Sequence, residues 1–338
     1  MSFKVGICGA GRIANDDHIP IIKRMRGFDL KAVYDITPAR RSYSERVYGI
    51  KSYSDLDEFL DLGLDLVIIS SPSSTHKQLA LRVINKGVNL IVEKPIALNS
   101  KDAREIIESA KRKRVLLSSY HNRRWDSDFI TVRKIFDEGL IGKPLSLESR
   151  ALFFGSLVGY GVKEFDTAWR YKTRYGGGVL LDFGTHLVDQ ILQLVKDKPC
   201  SVWCHTANAV WSKEVEDYFK CVIRFKSGFI AQLETSQVSR YTLPRWHITG
   251  RNGAIVCDDW IKGPVKVKYD TSAGRVAGKE RIYKFKKAGK DIFYRNILRA
   301  LEKKEKPLVT PEEIYNVMVV LEAARESARL SEEVKINF

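Results

Sequence analysis

The chain has 338 residues, 44% hydrophobic and 29% charged, with 57 Lys+Arg against 41 Asp+Glu for a formal net charge of +16. That length supports a sizeable core and two domains; charge and glycines interrupt the apolar start, so no secretory leader is expected, and no apolar stretch approaches the ~20 residues of a membrane helix. The basic excess is spread, at +6 over residues 1–120 (20 basic less 14 acidic) and +10 over the remainder (37 less 27), which disfavours a nucleic-acid partner and leaves a field that favours an anionic ligand.

Residues 1–120 alternate strand and helix. The apolar patterns predict strands near 3–8, 30–35, 65–70, 88–92 and 115–119, with helices at roughly 12–25, 38–48, 75–86 and 100–113. Val67-Ile68-Ile69 and Leu90-Ile91-Val92 are continuous apolar runs, as in strands covered on both faces of a parallel, doubly wound sheet. The first strand runs into Gly9-Ala10-Gly11-Arg12-Ile13-Ala14 and then a helical pattern, the context a G-x-G-x-x-[GA] match requires. Gly9 permits the tight turn, Gly11 lets a pyrophosphate approach the backbone, and Ala14 allows close helix–strand packing. The second strand ends at Asp35, where an acid accepts hydrogen bonds from an adenosine ribose. A carboxylate there repels a 2′-phosphate and favours NAD, while Arg40 and Arg41 could bind that phosphate and keep NADP open. The later strands run into the polar turns Ser70–His76, with Ser71, Pro72 and His76 as candidate cofactor contacts, and Glu93-Lys94-Pro95. Loops at the carboxyl ends of such strands are where ligands bind. Pro95 biases Lys94 to an extended backbone at that end of the sheet.

After residue 120 the pattern changes. Asp126–Glu138 is an amphipathic helix closed by Gly139, a strand follows near 145–154, and a glycine- and aromatic-rich loop spans 155–178. A helix near 179–195 carries Asp182 and His186 four apart, on one face, an acid and an imidazole suited to proton transfer. Alternating strands at 200–210, 217–226, 229–238, 245–250 and 254–258 predict an antiparallel sheet of at least five strands. Lys226-Ser227-Gly228 and Asn252-Gly253 supply hairpin turns. The basic alternation around Lys266 and Lys284 reads as the solvated face of further strands. Thr310-Pro311-Glu312-Glu313 is a capping box that starts a helix running to about Arg329. One face of the sheet is expected beneath the helices, with Phe219, Cys221, Ile223, Phe225, Phe229, Ala231 and Leu233. The other carries Trp203, Val222 and Ile230, a patch that a monomer rarely leaves in water. The five cysteines, Cys8, Cys200, Cys204, Cys221 and Cys257, are expected as free thiols in a reducing cytoplasm. Cys200 and Cys204, with His205, lack a second ligand pair, so no metal is expected.

The ordered set of the glycine turn, Asp35, Pro72 with His76, Glu93-Lys94-Pro95, Arg123-Arg124, Gly176-Gly177-Gly178 and Asp182-x-x-x-His186 resembles the glucose–fructose oxidoreductase/inositol dehydrogenase (Gfo/Idh/MocA) family over nearly the whole chain. The resemblance implies a Rossmann domain, drawn here at 1–120, and an α+β domain with an open-faced, mainly antiparallel sheet at 121–338. It implies an NAD(P)-dependent oxidoreductase for a secondary alcohol or ketone on a sugar, cyclitol or related polyol. Lys94, Asp182 and His186 take the family's catalytic positions. Gly9, Gly11, Arg12, Ile13, Asp35, Arg40, Glu93, Lys94 and Arg124 are candidate cofactor contacts alongside the Ser71–His76 turn. Tyr160, Trp169 and Arg170 on the long loop are candidate substrate contacts with Lys94, Asp182 and His186. It further implies a homodimer or homotetramer joined through residues 200–260. The rival readings are a hydrolase or lyase using tightly held NAD transiently, and a non-enzymatic dinucleotide sensor; intact Lys94, Asp182 and His186 weigh against the sensor.

Overall fold

A computed structural model describes residues 2–156, 168–270, 278–286 and 288–338. The chain divides into two compact units. One comprises the chain to His121, the described residues 168–177 and Lys290–Met318; the other comprises Asn122–Ser156, Gly178–Gly289 and Val319–Phe338. The chain leaves the first unit after residue 121 and returns to it twice.

In the first unit the elements are β1 (Phe3–Cys8), α1 (Ile19–Arg24), β2 (Phe28–Tyr34), α2 (Pro38–Tyr48), β3 (Lys51–Tyr53), α3 (Leu56–Leu60), β4 (Leu66–Ile69), α4 (His76–Asn85), β5 (Asn89–Val92), α5 (Ser100–Lys113) and β6 (Leu117–Ser119). The six strands are all parallel, in the order β3-β2-β1-β4-β5-β6. That order reverses between β1 and β4, the switch point where doubly wound sheets bind ligands. Every residue of β4 is fully buried, as its unbroken apolar run requires. Side chains cap the starts of two helices: Asp55 caps α3 by accepting from Asp57 and Glu58, and Asn99 caps α5 by accepting from Asp102. Two short elements, β3 and α3, were not legible as separate units. The first helix also differs from the expected continuous 12–25. A π-helical turn spans Ala14–His18 before α1, and the Asn15 side chain donates to the carbonyls of Ala10 and Gly11 at 2.9 and 2.8 Å, competing with the helix ladder.

The second unit is built on a nine-stranded sheet ordered β14-β13-β12-β11-β7-β10-β9-β8-β15. Its strands are β7 (Pro144–Leu152), β8 (Pro199–Ala207), β9 (Tyr218–Phe225), β10 (Ile230–Ser236), β11 (Trp246–Gly250), β12 (Gly253–Cys257), β13 (Val265–Tyr269), β14 (Lys279–Tyr283) and β15 (Val334–Lys335). All neighbours are antiparallel except β7 and β10. Helices α6 (Ser127–Asp137) and α7 (Val179–Leu194) lie over one face, where Phe219, Cys221, Ile223, Phe225, Ala231 and Leu233 are buried. The expected strand to 210 stops at Ala207. Asp217, fully buried, takes the next amides of Ala209, Val210 and Trp211 at 2.7–2.8 Å and turns the chain. Beyond the sheet come α8 (Asp291–Leu301), which the sequence reading did not single out, and α9 (Pro311–Leu330). The box at the start of α9 forms as expected: Thr310 N–H donates to Glu313, and Glu313 N–H donates back to the Thr310 hydroxyl.

The expectation of five free thiols is corrected. Cys204 and Cys221 face each other across β8 and β9, with Cα atoms 4.1 Å apart, and are joined as a disulfide. The Cys204 N–H points away from β9, to Ser327 Oγ, so this is the register position where opposed side chains come closest. Cys8, Cys200 and Cys257 are free. Among the described residues no helix is long and apolar enough to cross a membrane.

Candidate active site

The first unit gathers its candidate residues at the carboxyl ends of β1, β2, β4 and β5. Gly9 has φ of 95°, and a Cβ there would fall 2.7 Å from the Ser71 backbone nitrogen, so only glycine lets these two loops approach. Ser70 Oγ donates to the Gly9 carbonyl at 2.7 Å and stitches them together. Beside Gly11, by contrast, the space is open apart from the Arg40 guanidinium, 3.6 Å from where a Cβ would stand. A first helical turn, whose amides lack intrahelical acceptors, borders that space. An open glycine edge, free amides and a guanidinium form a cradle that fits a pyrophosphate. Arg12, which follows it, is exposed, and Ile13 is half-buried.

Asp35 is only 4% exposed. Its Oδ2 accepts the Ala10 amide at 2.8 Å and its Oδ1 accepts the Thr37 amide at 2.7 Å. It therefore fixes the glycine loop and the start of α2, and each oxygen keeps a second lone pair for a ribose hydroxyl. Arg40 Nη1 lies 3.8 Å from Asp35 Oδ2, while Arg41 donates to the Asp35 carbonyl. The two arginines thus differ: Arg40 faces the glycine loop, and Arg41 is bound to backbone.

The turn after β4 is held by its own hydroxyls. Ser71 Oγ and Thr75 Oγ1 are 2.6 Å apart, and Thr75 donates to the Pro72 carbonyl. His76 is buried, with Nε2 2.9 Å from the Ser71 carbonyl and Nδ1 2.8 Å from the Pro95 carbonyl. Both ring nitrogens face backbone, so His76 joins the turn after β4 to the turn after β5. Burial lowers its pKa from the ordinary histidine value, while the two facing carbonyls pull the other way. Glu93 is also buried; its carboxylate accepts from His18 Nε2 at 3.1 Å and from the Lys94 amide at 3.1 Å. Lys94 itself is half-buried and lies two residues past the end of β5, before a cis peptide to Pro95.

The described residues 168–177 belong to this same unit. A Cβ on Gly176, which has φ of 73°, would fall 2.2 Å from Leu98 Cδ2 and 3.6 Å from Ser73, so the segment packs on the loops after β5 and β4. Trp169 and Arg170 stack, with the guanidinium 4.3 Å from the indole centroid. Tyr160 lies outside the described residues.

The second unit carries the remaining candidates on or against α7. Asp182 is half-buried, and His186 is 7% exposed one turn later. Gly178 cannot cap the helix with a side chain. Glu216 does so instead, accepting the Leu180 amide at 2.9 Å, and burial raises its pKa from the ordinary value. One further turn along, Asp189 takes Arg124 in a two-pronged ion pair, Nε to Oδ2 at 2.8 Å and Nη2 to Oδ1 at 2.6 Å, with both side chains nearly inaccessible. Gln190 donates to the Arg123 carbonyl and accepts from Arg245, whose buried guanidinium lies 3.4 Å from Asp128 and over the Trp246 ring. Arg124 was a candidate cofactor contact; two of its nitrogens are committed to Asp189. Asn15, His18, Glu216 and Asp189 were missed in the sequence. His18 had a signal: it falls four residues after Ala14, on the buried face, where a polar side chain requires a partner.

The strand order, the glycine loop and the acid at the end of β2 define a dinucleotide-binding Rossmann domain. Comparison with known proteins agrees. Residues 3–121 match the model described as oxidoreductase family, NAD-binding Rossmann fold, and residues 129–256 match the GFO/IDH/MocA C-terminal domain. The chain belongs to the Gfo/Idh/MocA family and is an oxidoreductase with an NAD-binding domain. It is 28% identical to scyllo-inositol 2-dehydrogenase (NADP(+)) IolW of Bacillus subtilis, over 97% of this chain and 94% of that protein. It is 26% identical to myo-inositol 2-dehydrogenase of Thermotoga maritima, over 99% and 98%. Among solved structures it is similar to an NAD-binding protein from Listeria innocua, with a TM-score of 0.89 and 29% identity over 99% of this chain and 97% of that one.

Proposed function

We propose that this oxidoreductase interconverts a secondary alcohol and a ketone on a cyclitol, sugar or related polyol, with NAD as the favoured dinucleotide. The observation that carries this reading is Lys94 at the carboxyl end of a Rossmann strand, in a chain whose full-length relatives include two named inositol 2-dehydrogenases. NAD, when bound, accepts or supplies the hydride. The glycine loop and Arg40 would hold its pyrophosphate, and Asp35 its adenosine ribose. His186 takes the hydroxyl proton as general base. The Lys94 ammonium stabilises the developing alkoxide, and Asp182 orients substrate hydroxyls. Trp169 and Arg170 contribute to recognition of the substrate. A screen of polyols and sugars against purified protein, reading reduced-nicotinamide absorbance with NAD and NADP in parallel, tests the reading. Turnover of no cyclitol or sugar with either dinucleotide would overturn it.

Cofactor choice rests on Asp35. Asp35→Ser is expected to lower the NAD-to-NADP affinity ratio by about tenfold, the equivalent of ~1.4 kcal/mol, because a phosphate-repelling charge is removed while Arg40 remains. Asp35 also anchors Ala10 and Thr37, so both absolute affinities should fall, and the ratio is the informative quantity. An unchanged ratio, from titration of both dinucleotides into both proteins, would refute the assignment.

Assembly through the open sheet face is part of the same proposal. Trp203 and Ile230 are each 40% exposed on that face, and Val222 pairs beside Trp203 in register. A homodimer or homotetramer with a two-fold interface within residues 200–260 would cover them. Light scattering coupled to size exclusion is expected to give at least twice the 38.6 kDa chain mass; a single-chain mass at micromolar concentration would contradict it.

A further inference from the structure

The partners behind Glu93 form one connected chain of hydrogen bonds. A carboxylate only accepts hydrogen bonds. Glu93 Oε1 lies 3.1 Å from His18 Nε2, so that nitrogen carries a proton. In the neutral ring Nδ1 is then bare, and it lies 2.5 Å from the Tyr294 hydroxyl. His18 and Tyr294 are both fully buried. Burial, with Tyr120, Glu93 and Asp17 nearby, raises the Tyr294 pKa well above the ordinary tyrosine value, so the phenol keeps its proton and donates. With the ring neutral, the chain runs from Tyr294 O–H to His18 Nδ1 and from His18 Nε2–H to Glu93 Oε1. The other oxygen, Oε2, accepts the backbone N–H of Lys94 at 3.1 Å. On the far side of Lys94, the Pro95 carbonyl is held by His76.

Lys94 thus stands between two backbone anchors, each tied to a buried histidine. Packing makes the first anchor rigid. The Tyr120 ring lies 4.7 Å from the His18 ring, its hydroxyl reaches Asp17, and Lys290 pairs with both Asp17 oxygens at 2.8 Å. Within this cluster the Glu93 carboxylate is joined through His18 to the Tyr294 hydroxyl, two hydrogen bonds away.

We propose that His18 and Tyr294 are positioning residues for Lys94: they orient the Glu93 carboxylate, which fixes the peptide from which the Lys94 side chain projects. This rests on the reading of Lys94 as a catalytic group, but its primary test needs no turnover. Tyr294→Phe removes one hydroxyl and keeps the ring in place; His18→Gln is the second variant. The NAD-loaded wild type and variants are treated with acetic anhydride, and acetylation of Lys94 is followed by peptide mass spectrometry against exposed Lys101 in the same digest. Both variants are expected to change the Lys94 rate by threefold or more while Lys101 is unaffected. An unchanged Lys94 rate in a folded, NAD-binding Tyr294→Phe protein would overturn the proposal.

With a polyol that turns over, Tyr294→Phe is expected to lower kcat about five- to tenfold with KM within twofold. In a Lys94→Ala background it is expected to cause no further loss. Equal losses in both backgrounds would mean that Tyr294 acts through something other than Lys94, and would overturn the proposal while leaving the role of Lys94 intact. If Lys94→Ala alone leaves turnover unchanged, the reading of Lys94 fails, and the labelling result still decides the positioning claim.

Discussion

Lys94→Ala and His186→Ala are each expected to lose on the order of 100-fold or more in turnover, while NAD affinity changes by no more than a few-fold. Removing a positioned proton-transfer group costs typically 10²–10⁴-fold, and removing a charge aimed at a developing alkoxide costs about 10²–10³-fold. Binding is spared because the pyrophosphate cradle and Asp35 are built from other residues: Gly9, Gly11, Ala10 and Arg40 around the loop, with Asp35 held by the Ala10 and Thr37 amides. Steady-state rates with the polyol found by the screen, beside NADH fluorescence titration, separate the two effects. Wild-type turnover in both variants would remove Lys94 and His186 from the chemistry. Loss of NADH binding in parallel with turnover would instead assign them to the cofactor.

Asp189→Ala is expected to cost about 3–5 kcal/mol of stability, the usual range for stripping one partner from a buried ion pair. The Arg124 and Asp189 side chains are 5% and 2% exposed, so the orphaned guanidinium cannot recover its solvation. The loss should appear as a lower urea midpoint with an unchanged slope. The double replacement Arg124→Met with Asp189→Leu should recover most of it, because a buried pair exchanged for apolar side chains of similar size is often neutral. A single variant within ~0.5 kcal/mol of wild type, the ordinary scatter of surface substitutions, would show that the pair is not carrying this load. Asp189 lies one turn beyond His186, so the double variant, if stable, also reveals whether Arg124 matters to cofactor affinity apart from holding α7.

How much of this was legible in the sequence follows from what kind of signal each element carries. The sheet of the first unit was readable because Leu66–Ile69 and Leu90–Val92 are apolar without interruption and are separated by helical periodicity. The glycine loop was readable because its spacing is imposed by a turn, a close approach and a helix start. The local cap formed by Thr310 with Glu313 acts within three residues and was visible as such. What was hidden depends on contacts between distant positions. Cys204 and Cys221 read as two strand residues, and only the register of β8 on β9 pairs them. Glu216 caps α7 from a loop 36 residues later. Tyr294 meets His18 across 276 residues, with nothing local in α8 to announce it. Asp35 was read for its ribose role, whereas its bonds to Ala10 and Thr37 needed the loop's folded path. His76 was read as a cofactor contact, and the structure shows both its nitrogens turned to backbone. What each of these positions lacked in the sequence was its partner.

The proposed reaction moves a hydride between a polyol carbon and nicotinamide. The most direct measurement uses the polyol that turns over, deuterated at the reacting carbinol carbon, with stoichiometric NAD and mass analysis of the released cofactor. The expected result is one deuterium on the reduced nicotinamide for each ketone formed. Product formation with no deuterium in the cofactor pool, or with the label returned to the product, would contradict the claim and point to a hydrolase or lyase that uses NAD only transiently.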